Sequence, residues 1–238
     1  MDLEILYQDY SIICINKPSG LLVHPTKIAA ERSLFATTLL RELTGRKVYP
    51  VHRLDRPTSG LNLFAFSGEI AGKMQDQFRS REVRKSYRAI VRGWIPEPGI
   101  IDHPLQKGEK QQFQEAQTKY ESLAQCEIEL EVSRYPTSRY SLVEVEPLTG
   151  RMHQIRRHFA HFRHYVICDS KYGDKKHNKV FREKWGLDRL LLHAKELAFK
   201  HPLTMEKVEL STDYPDRFNK VFDLFDWQCL KEKEATES

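Results

Sequence analysis

Short runs in which apolar and polar residues alternate are the commonest pattern along this chain, and they predict a protein built mainly of strands. The clearest alternation is EIELEV, within a predicted strand at Thr118–Ser133 that is followed by a second at Arg139–Glu146. The same pattern predicts the remaining strands at Leu3–Tyr7, Ile12–Ile15, Gly60–Phe66, Lys85–Trp94 and Leu190–Phe199.

Apolar residues at helical spacing interrupt the strands at four places. Polar stretches at Pro96–Gln117 and His164–Lys184 predict loops. Since strands dominate and no regular alternation of strand and helix joins them, the predicted fold class is α+β with a mixed sheet. The predicted helices cover Ser33–Leu43, Glu69–Arg81, Met152–Phe162 and Asp216–Phe225.

Length and composition favour one folded domain. The chain has 238 residues, of which 40% are apolar, and we expect a domain over residues 1–230 with a frayed tail over 231–238. The longest apolar runs are too short to span a bilayer, and the acidic N-terminus lacks the positive start of a signal peptide. The four cysteines are scattered, with no CxxC pair. These features predict a cytoplasmic protein with no membrane partner, and we expect a monomer.

The net charge of +5 is unevenly distributed, and two clusters are strongly basic. Arg79–Arg92 contains six basic residues and one acid, Glu82. Arg151–His164 contains four arginines and four histidines and no acid. Two such clusters predict a polyanion partner, and solvated charged faces are the alternative that charge alone leaves open.

Several other chemistries would need motifs that this sequence lacks. His153, His158, His161 and His164 are close in sequence, but the arginines between them would repel a metal cation. No GxSxG elbow is present, and neither is a GxGxxG or GxxxxGK[ST] nucleotide loop. We therefore expect no metal and no small-molecule cofactor. What remains is one acid in a basic turn, Asp55 in VHRLDRPTSG.

The turn that contains Asp55 also resembles the signature of a known family. HRLDRPTSG, at residues 52–60, is similar to the signature of the RluA-type pseudouridine synthases. Other motifs of that family are matched, in the expected order, by ILYQDYSIICINKPSGLLVHP, KSYRAIVRG, TGRMHQIRRH, CDSKYGD and RLLLHAKELAFKHP. The resemblance covers nearly the whole chain. It implies the pseudouridine synthase fold, with a mixed, largely antiparallel central sheet flanked by helices and loops, and we expect no N-terminal RNA-binding domain before it.

This resemblance implies an isomerase that converts uridine in RNA to pseudouridine without a cofactor. The family's catalytic aspartate corresponds to Asp55, its tyrosine to Tyr87, and its arginine to Arg156, which we expect to pair with Asp55. Asp55 then acts as a nucleophile or as a base at the sugar, and the sequence does not separate these roles. Arg53 corresponds to the arginine that fills the gap left by a flipped base.

The remaining site predictions concern RNA and uracil. Leu191 or Leu192 is predicted to wall the uracil pocket, with core packing as the alternative. The stretch SRYPTSRYSLVEVEPLTGRMHQIRRHFAHFRH is most similar to family members that modify uridine 65 of tRNA. A synthase for ribosomal RNA and an RNA-binding protein without turnover are the alternatives. The further residues predicted to bind RNA are His52, Arg84, Lys85, Arg88, Arg151, His153 and Arg157.

Overall fold

The structure, a computed structural model, describes residues 3–24, 34–108 and 112–227. Within these ranges the chain forms two compact units. The first unit comprises residues 1–87 and 193–212, and the second comprises 88–192 and 213–238. One domain over residues 1–230 stays a prediction, and the predicted tail at 231–238 lies outside the described residues.

Twelve strands and five helices form within the described residues. Each strand that the alternation predicts is present, with boundaries shifted by several residues at most. In chain order the elements are β1 (Glu4–Gln8), β2 (Ile12–Lys17), α1 (Ala36–Thr44), β3 (Tyr49–Pro50), β4 (Ser59–Ala65), α2 (Gly68–Arg79), β5 (Arg84–Arg92), β6 (Gly99–Asp102), β7 (Leu105–Gln106), β8 (Phe113–Gln114), β9 (Gln117–Ile128), β10 (Ser138–Pro147), α3 (Gln154–His161), α4 (Lys175–Trp185), β11 (Leu192–Lys200), β12 (Lys207–Ser211) and α5 (Asp216–Leu224).

In the first unit the strands lie in the order β1-β2-β4-β11, with β3 paired to β4 and β12 paired to β11. These pairs are antiparallel except for β4 and β11, which run parallel. Ser59 lies opposite His193 in that pair, and Gly60 lies opposite Ala194. The parallel pair makes the sheet mixed. It also brings the start of β4, directly after the Asp55 turn, against the start of β11.

Helices cover both faces of the sheet in the first unit. On one face, Leu63 of β4 belongs to the same buried cluster as Met74 of α2. On the other, Phe64 of β4 belongs to a cluster with Leu40 of α1. Every residue of β4 is buried, because a strand covered on both sides has no solvent face.

The second unit has the strand order β5-β10-β9-β6, while β7 and β8 form a separate hairpin. The pairs β9–β10 and β6–β9 are antiparallel. The core of this unit is rich in aromatic side chains from β10, α4 and α5, among them Tyr140, Phe181 and Phe222. Tyr140 and Phe181 pack edge to face, with ring centroids 5.3 Å apart.

Two segments predicted to be loops contain regular structure instead. Pro96–Gln117 holds the short strands β6, β7 and β8, and His164–Lys184 holds most of α4. Apolar periodicity did not predict helix α4, because its buried residues are only His177 and Phe181. Its ends did carry a signal: Asp174 caps the first turn by accepting from two backbone N–H groups, and Gly186 ends the helix at φ 66°.

The helices are short, between the eight residues of α3 and the twelve of α2. Each buries apolar residues against its own unit, and α5, for example, buries Phe218, Val221 and Phe222. None of the helices in the described part of the chain is long and apolar enough to cross a membrane.

A partly buried polar contact ties two turns of the first unit together. Asp9, in the turn between β1 and β2, accepts hydrogen bonds from the backbone N–H of Ser11 at 2.6 Å and of Ile12 at 2.8 Å. Its second oxygen lies 2.7 Å from Nε2 of His201, in the turn after β11. Burial by itself would raise the pKa of Asp9, but the hydrogen bonds from Ile12 and Ser11 outweigh it and lower the pKa from 3.8 to about 2.

We predict that Asp9→Asn destabilises the protein at pH 7 and that the difference shrinks in acid. Because the folded pKa is depressed, the ionised carboxylate stabilises the fold above pH 3.8, and this stability is lost as the pH falls toward about 2. Urea unfolding of the wild type and the variant at pH 7 and pH 3 measures the difference. Glu42→Gln, on the exposed side of α1, is the control. A destabilisation by Asp9→Asn that is equal at both pH values would contradict the prediction.

Candidate active site

The turn that carries Asp55 is an irregular segment between β3 and β4. The backbone N–H of Thr58 donates to the carbonyl of Asp55 at 3.1 Å, which closes the turn locally. The backbone N–H of Gly20 donates to the carbonyl of Arg56 at 2.8 Å. Asp55 itself is half-buried, and these hydrogen bonds to its own carbonyl and to that of Arg56 fix the backbone that presents its carboxylate.

Lys17 fastens this turn to the segment NKPSG. The lysine side chain is fully buried, and its ammonium donates to the carbonyls of Pro18 at 3.1 Å, Leu21 at 2.9 Å and Arg56 at 3.3 Å. A buried ammonium is costly unless it is hydrogen-bonded, so these carbonyls explain why a lysine is tolerated here. Sequence reasoning identified the turn but missed the role of Lys17. A lysine at the end of the buried strand IICINK indicates a buried charge that needs partners.

Two further contacts join the same segments. Ser19 donates from Oγ to the carbonyl of Pro57 at 2.7 Å. Arg56, to which the sequence assigned no role, donates from Nε to the carbonyl of Gly20 at 3.1 Å. The residues that surround Asp55 in sequence therefore hold the shape of the turn.

The turn ends where β4 meets β11. The Ser59 hydroxyl lies 2.7 Å from Nδ1 of His193, and both side chains are buried. Gly60 has φ 107°, and a Cβ there would lie 2.2 Å from the carbonyl oxygen of Ala194. Only glycine permits this approach of two backbones, so the last residue of the PTSG sequence fixes where the strand begins.

Tyr87 is close enough to Asp55 in the first unit for the two groups to interact electrostatically. Burial raises the pKa of the half-buried Tyr87, and the negative charge of Asp55 raises it further. The phenol therefore stays protonated at neutral pH and can donate a hydrogen bond. Two of the three residues predicted to be catalytic, Asp55 and Tyr87, thus lie within electrostatic range of each other.

His52 has the contacts of a residue that supports the turn. Its ring stacks on Phe78, with centroids 4.8 Å apart, and its Nε2 accepts from the backbone N–H of Leu63 at 3.2 Å. Burial, and then the charge of Lys85, lower its pKa to about 3, so the imidazole is neutral. Its neighbour Arg53 is exposed. The RNA contacts predicted for His52 and Arg53 stay predictions.

In the second unit, Arg156 of α3 forms a buried ion pair with Asp169. Nε and Nη2 of the guanidinium donate to the two carboxylate oxygens, each at 2.7 Å. Burial by itself would raise the pKa of Asp169, but the hydrogen bonds from Arg156 and from the backbone N–H of Tyr172 lower it. This pair is the directional, two-point type that lysine does not reproduce.

Asp169 is a partner of Arg156 that sequence reasoning did not identify. The residue lies in CDSKYGD, a motif that the family resemblance included without assigning it a role. A guanidinium has five N–H donors, and Asp169 engages those of Nε and Nη2. The predicted pairing of Arg156 with Asp55 would join the two units and stays a prediction.

The segment around Arg156 is held by a buried polar network. Gln154 donates from Nε2 to Thr118 Oγ1 at 2.9 Å and accepts from Thr149 Oγ1 at 2.7 Å. His158 is fully buried, with Nδ1 2.9 Å from Thr118 Oγ1 and Nε2 3.0 Å from the carbonyl of His103. Among the residues that the structure describes, no group of three or more His, Cys, Asp or Glu side chains could hold a metal ion.

The predicted RNA-binding residues of this segment are partly engaged with the protein. Arg151 donates to the carbonyl of Glu115 at 2.9 Å, and Nδ1 of His153 lies 2.9 Å from the Tyr172 hydroxyl. Arg157 donates to the carbonyl of Gln106 at 3.1 Å. All three remain at least partly accessible, so their RNA contacts stay predictions.

The residues predicted on β5 differ from one another in exposure. Arg84 is exposed and Lys85 is half-buried. Arg88, by contrast, is buried and lies 3.5 Å from the carboxylate of Glu144. The alternation of the strand turns Arg88 inward, so the structure does not place it on an RNA-accessible surface.

Leu191 and Leu192 are both buried. Leu191 belongs to the aromatic core of the second unit, and its backbone bonds to Ile90 and Ile167. Core packing, the alternative that the sequence left open, therefore accounts for Leu191. The wall of a uracil pocket stays a prediction for either residue.

Comparison with known proteins identifies the family. A family model described as RNA pseudouridylate synthase matches residues 11–161, which include Asp55, Tyr87 and Arg156. The chain belongs to this family. Membership confirms the resemblance that HRLDRPTSG and the accompanying motifs predicted.

Curated members of the RNA pseudouridylate synthase family match this chain over almost its full length. A protein of Vibrio parahaemolyticus named tRNA pseudouridine synthase C is 42% identical over 95% of this chain and 96% of its own. A protein of the same name from Haemophilus ducreyi is 44% identical over 95% of this chain and 97% of its own.

Solved structures of the same family have the same fold. Human RNA Pseudouridylate Synthase Domain Containing 4 has a TM-score of 0.69 and 26% identity, and the match covers 92% of each chain. Human RNA Pseudouridylate Synthase Domain Containing 1 has the same TM-score and identity, over 90% of this chain and 84% of its own. The predicted α+β fold class is therefore confirmed.

We predict that Asp169→Asn lowers the free energy of unfolding by about 3–5 kcal/mol, because it leaves the Arg156 charge buried beside a neutral amide. Asp188→Asn is the matched control, since Asp188 is exposed and lies 3.7 Å from the exposed Arg189. That surface change should cost less than about 1 kcal/mol. Equilibrium unfolding in urea measures both. Equal, small losses in the two variants would show that the buried pair does not stabilise the fold.

Proposed function

We propose that this protein isomerises uridine to pseudouridine in tRNA, with Asp55 as the catalytic carboxylate. The observation that carries the proposal is the fixed turn that presents Asp55, with the protonated Tyr87 within its electrostatic reach. Family membership supports the reaction, and the names of the curated relatives support tRNA as the substrate. A cytoplasmic, monomeric enzyme with no cofactor belongs to the same proposal.

The reaction exchanges one bond to the sugar for another. The bond between C1′ and N1 of the uracil breaks, the base turns, and a bond from C1′ to C5 forms. C5 loses its proton and N1 gains one, so the product is an isomer of the substrate. Asp55 serves either as the nucleophile that holds the sugar while the base turns or as the base that removes a sugar proton.

Either role needs Asp55 as a carboxylate in a site that excludes water. Desolvation alone favours the neutral acid, so a nearby cation is needed to keep the group ionised. Arg156 is the cation we propose, since its geometry suits a carboxylate and Asp169 already holds its guanidinium in one orientation. Tyr87 would stack on the uracil and direct its hydroxyl toward the reacting ring or sugar.

A uridine inside a stem must leave the base stack before Asp55 can reach it, at a cost of a few kcal/mol. Arg53 is exposed and lies two residues before Asp55. We propose that its planar guanidinium occupies the gap left by the flipped base. Within tRNA, uridine 65 is the position we propose, and a uridine of ribosomal RNA is the second candidate.

The decisive experiment maps pseudouridine in tRNA at single-nucleotide resolution. We expect the wild-type protein to modify an unmodified tRNA transcript at uridine 65, and Asp55→Ala to leave no signal above background. Chemical mapping is required because the product has the same mass as the substrate. Ribosomal RNA is assayed in parallel. Asp55-dependent signal in ribosomal RNA alone would reassign the substrate, and no signal in either RNA would overturn the proposed activity.

We predict that Tyr87→Phe slows single-turnover conversion by roughly 100-fold, a typical contribution of a positioned proton donor, while tRNA affinity stays within a factor of about two. The ring remains for stacking, and only the hydroxyl is lost. Tyr49→Phe removes a phenolic hydroxyl from β3 and is the control. Conversion by Tyr87→Phe at the rate of Tyr49→Phe would remove the hydroxyl from the mechanism.

A further inference from the structure

A pocket of about 280 Å³ opens on the second unit between α3 and the β7–β8 hairpin. Four aromatic side chains line it, His103, Phe113, His161 and Tyr172, together with Arg157. The residues assigned so far to the reaction do not include any of the four rings. The pocket is therefore a feature that the proposed mechanism leaves unexplained.

Two of the rings stack on each other, and a third is largely exposed. His103 and His161 lie parallel, with centroids 3.6 Å apart and an angle of 11° between their planes. Phe113 is 65% exposed, although it is the kind of side chain that folding usually buries. The histidine stack and the bond from Arg157 to Gln106 hold the hairpin against α3, but that structural role does not account for the exposed ring of Phe113.

The positive charge around the pocket favours an anionic ligand. The segment from Arg151 to His164 contains no acid and four arginines, of which Arg156 is paired with Asp169. The Arg157 guanidinium is fixed in the pocket wall by its 3.1 Å hydrogen bond to the carbonyl of Gln106. Rings that stack on a base, beside a cation that attracts a phosphate, are the two elements of single-stranded nucleic-acid recognition. The volume is at the lower end of ligand pockets, which suits one nucleotide.

The pocket adjoins Arg156 through Tyr172. The guanidinium carbon of Arg156 lies 5.2 Å from the centroid of the Tyr172 ring, and that ring is also part of the pocket wall. A nucleotide in the pocket would therefore lie next to the group on which Arg156 acts. We infer that the pocket binds, by stacking on Phe113 and the histidine rings, a nucleotide that neighbours the modified uridine in the RNA strand. The inference rests on the proposed tRNA modification.

The first experiment measures tRNA binding by Phe113→Ala at a fixed salt concentration. Stacking is worth roughly 1–3 kcal/mol per base, so we expect the dissociation constant to rise by roughly 5- to 150-fold. Tyr10→Ala is the matched control, because Tyr10 is an exposed ring beside Arg46, as Phe113 is beside Arg157. Both variants remove exposed side chains, and thermal unfolding verifies that each remains folded.

The second experiment detects stacking directly. Phe113→Trp keeps a ring in the pocket, so tRNA affinity should be retained and the tryptophan fluorescence should be quenched when RNA binds. Tyr10→Trp should show no quenching beyond that of the wild-type protein, which has three tryptophans of its own.

The outcomes separate the two proposals. If the wild type modifies tRNA but Phe113→Ala binds as Tyr10→Ala does, and Phe113→Trp shows no added quenching, the pocket assignment is overturned and the proposed function stands. A pocket that serves a protein partner would give this result. If the wild type modifies no RNA, both proposals fail. Weakened binding by Phe113→Ala, with quenching in Phe113→Trp, supports the pocket.

Discussion

The buried ammonium of Lys17 is the interaction on which the geometry of the Asp55 turn depends. It reaches carbonyl oxygens on both sides, two in its own turn and one at Arg56, the residue after Asp55. A charge buried in this way gives a strong preference for one arrangement, since moving any carbonyl would leave the ammonium poorly solvated. The backbone that presents the Asp55 carboxylate is thus held in part by a buried side-chain charge. Of the two arginines nearest Asp55 in sequence, Arg56 also holds the turn, whereas Arg53 is exposed.

The second unit also contains a buried cation, but a carboxylate holds it instead of backbone carbonyls. The cation is Arg156 of α3, and the carboxylate is that of Asp169, whose pKa is lowered. Both devices place a fully charged group in the interior and satisfy it with several hydrogen bonds. Within each unit the segment is already ordered by these hydrogen bonds, so little free energy is needed to order it when a substrate binds.

Sequence reasoning predicted much of the fold, and its errors have identifiable causes. The strands were found because alternation is a local signal. Asp55 and Tyr87 were predicted as site residues because their motifs are long, and their roles stay predictions. Helix α4 was missed because only two of its residues are buried. Asp169 was not recognised as the partner of Arg156, and the role of Lys17 was not seen, because a sequence shows a charge but does not show which distant backbone or side chain neutralises it. Arg88 was expected at a surface, and a strand periodicity does not say which face is covered.

The first unit is discontinuous in sequence, since residues 193–212 complete a sheet begun by residues 1–87. The contact of Ser59 with His193, where β4 and β11 pair in parallel, joins residues that are 134 positions apart in sequence. On a ribosome, the strands that hold the Asp55 turn are made early, but β11 emerges only after the whole of α3 and α4 has been synthesised. A nascent chain halted within residues 88–192 therefore contains every residue of the turn without the strand that completes it. The enzyme acquires its site late in synthesis, as a result of the order in which its strands are made.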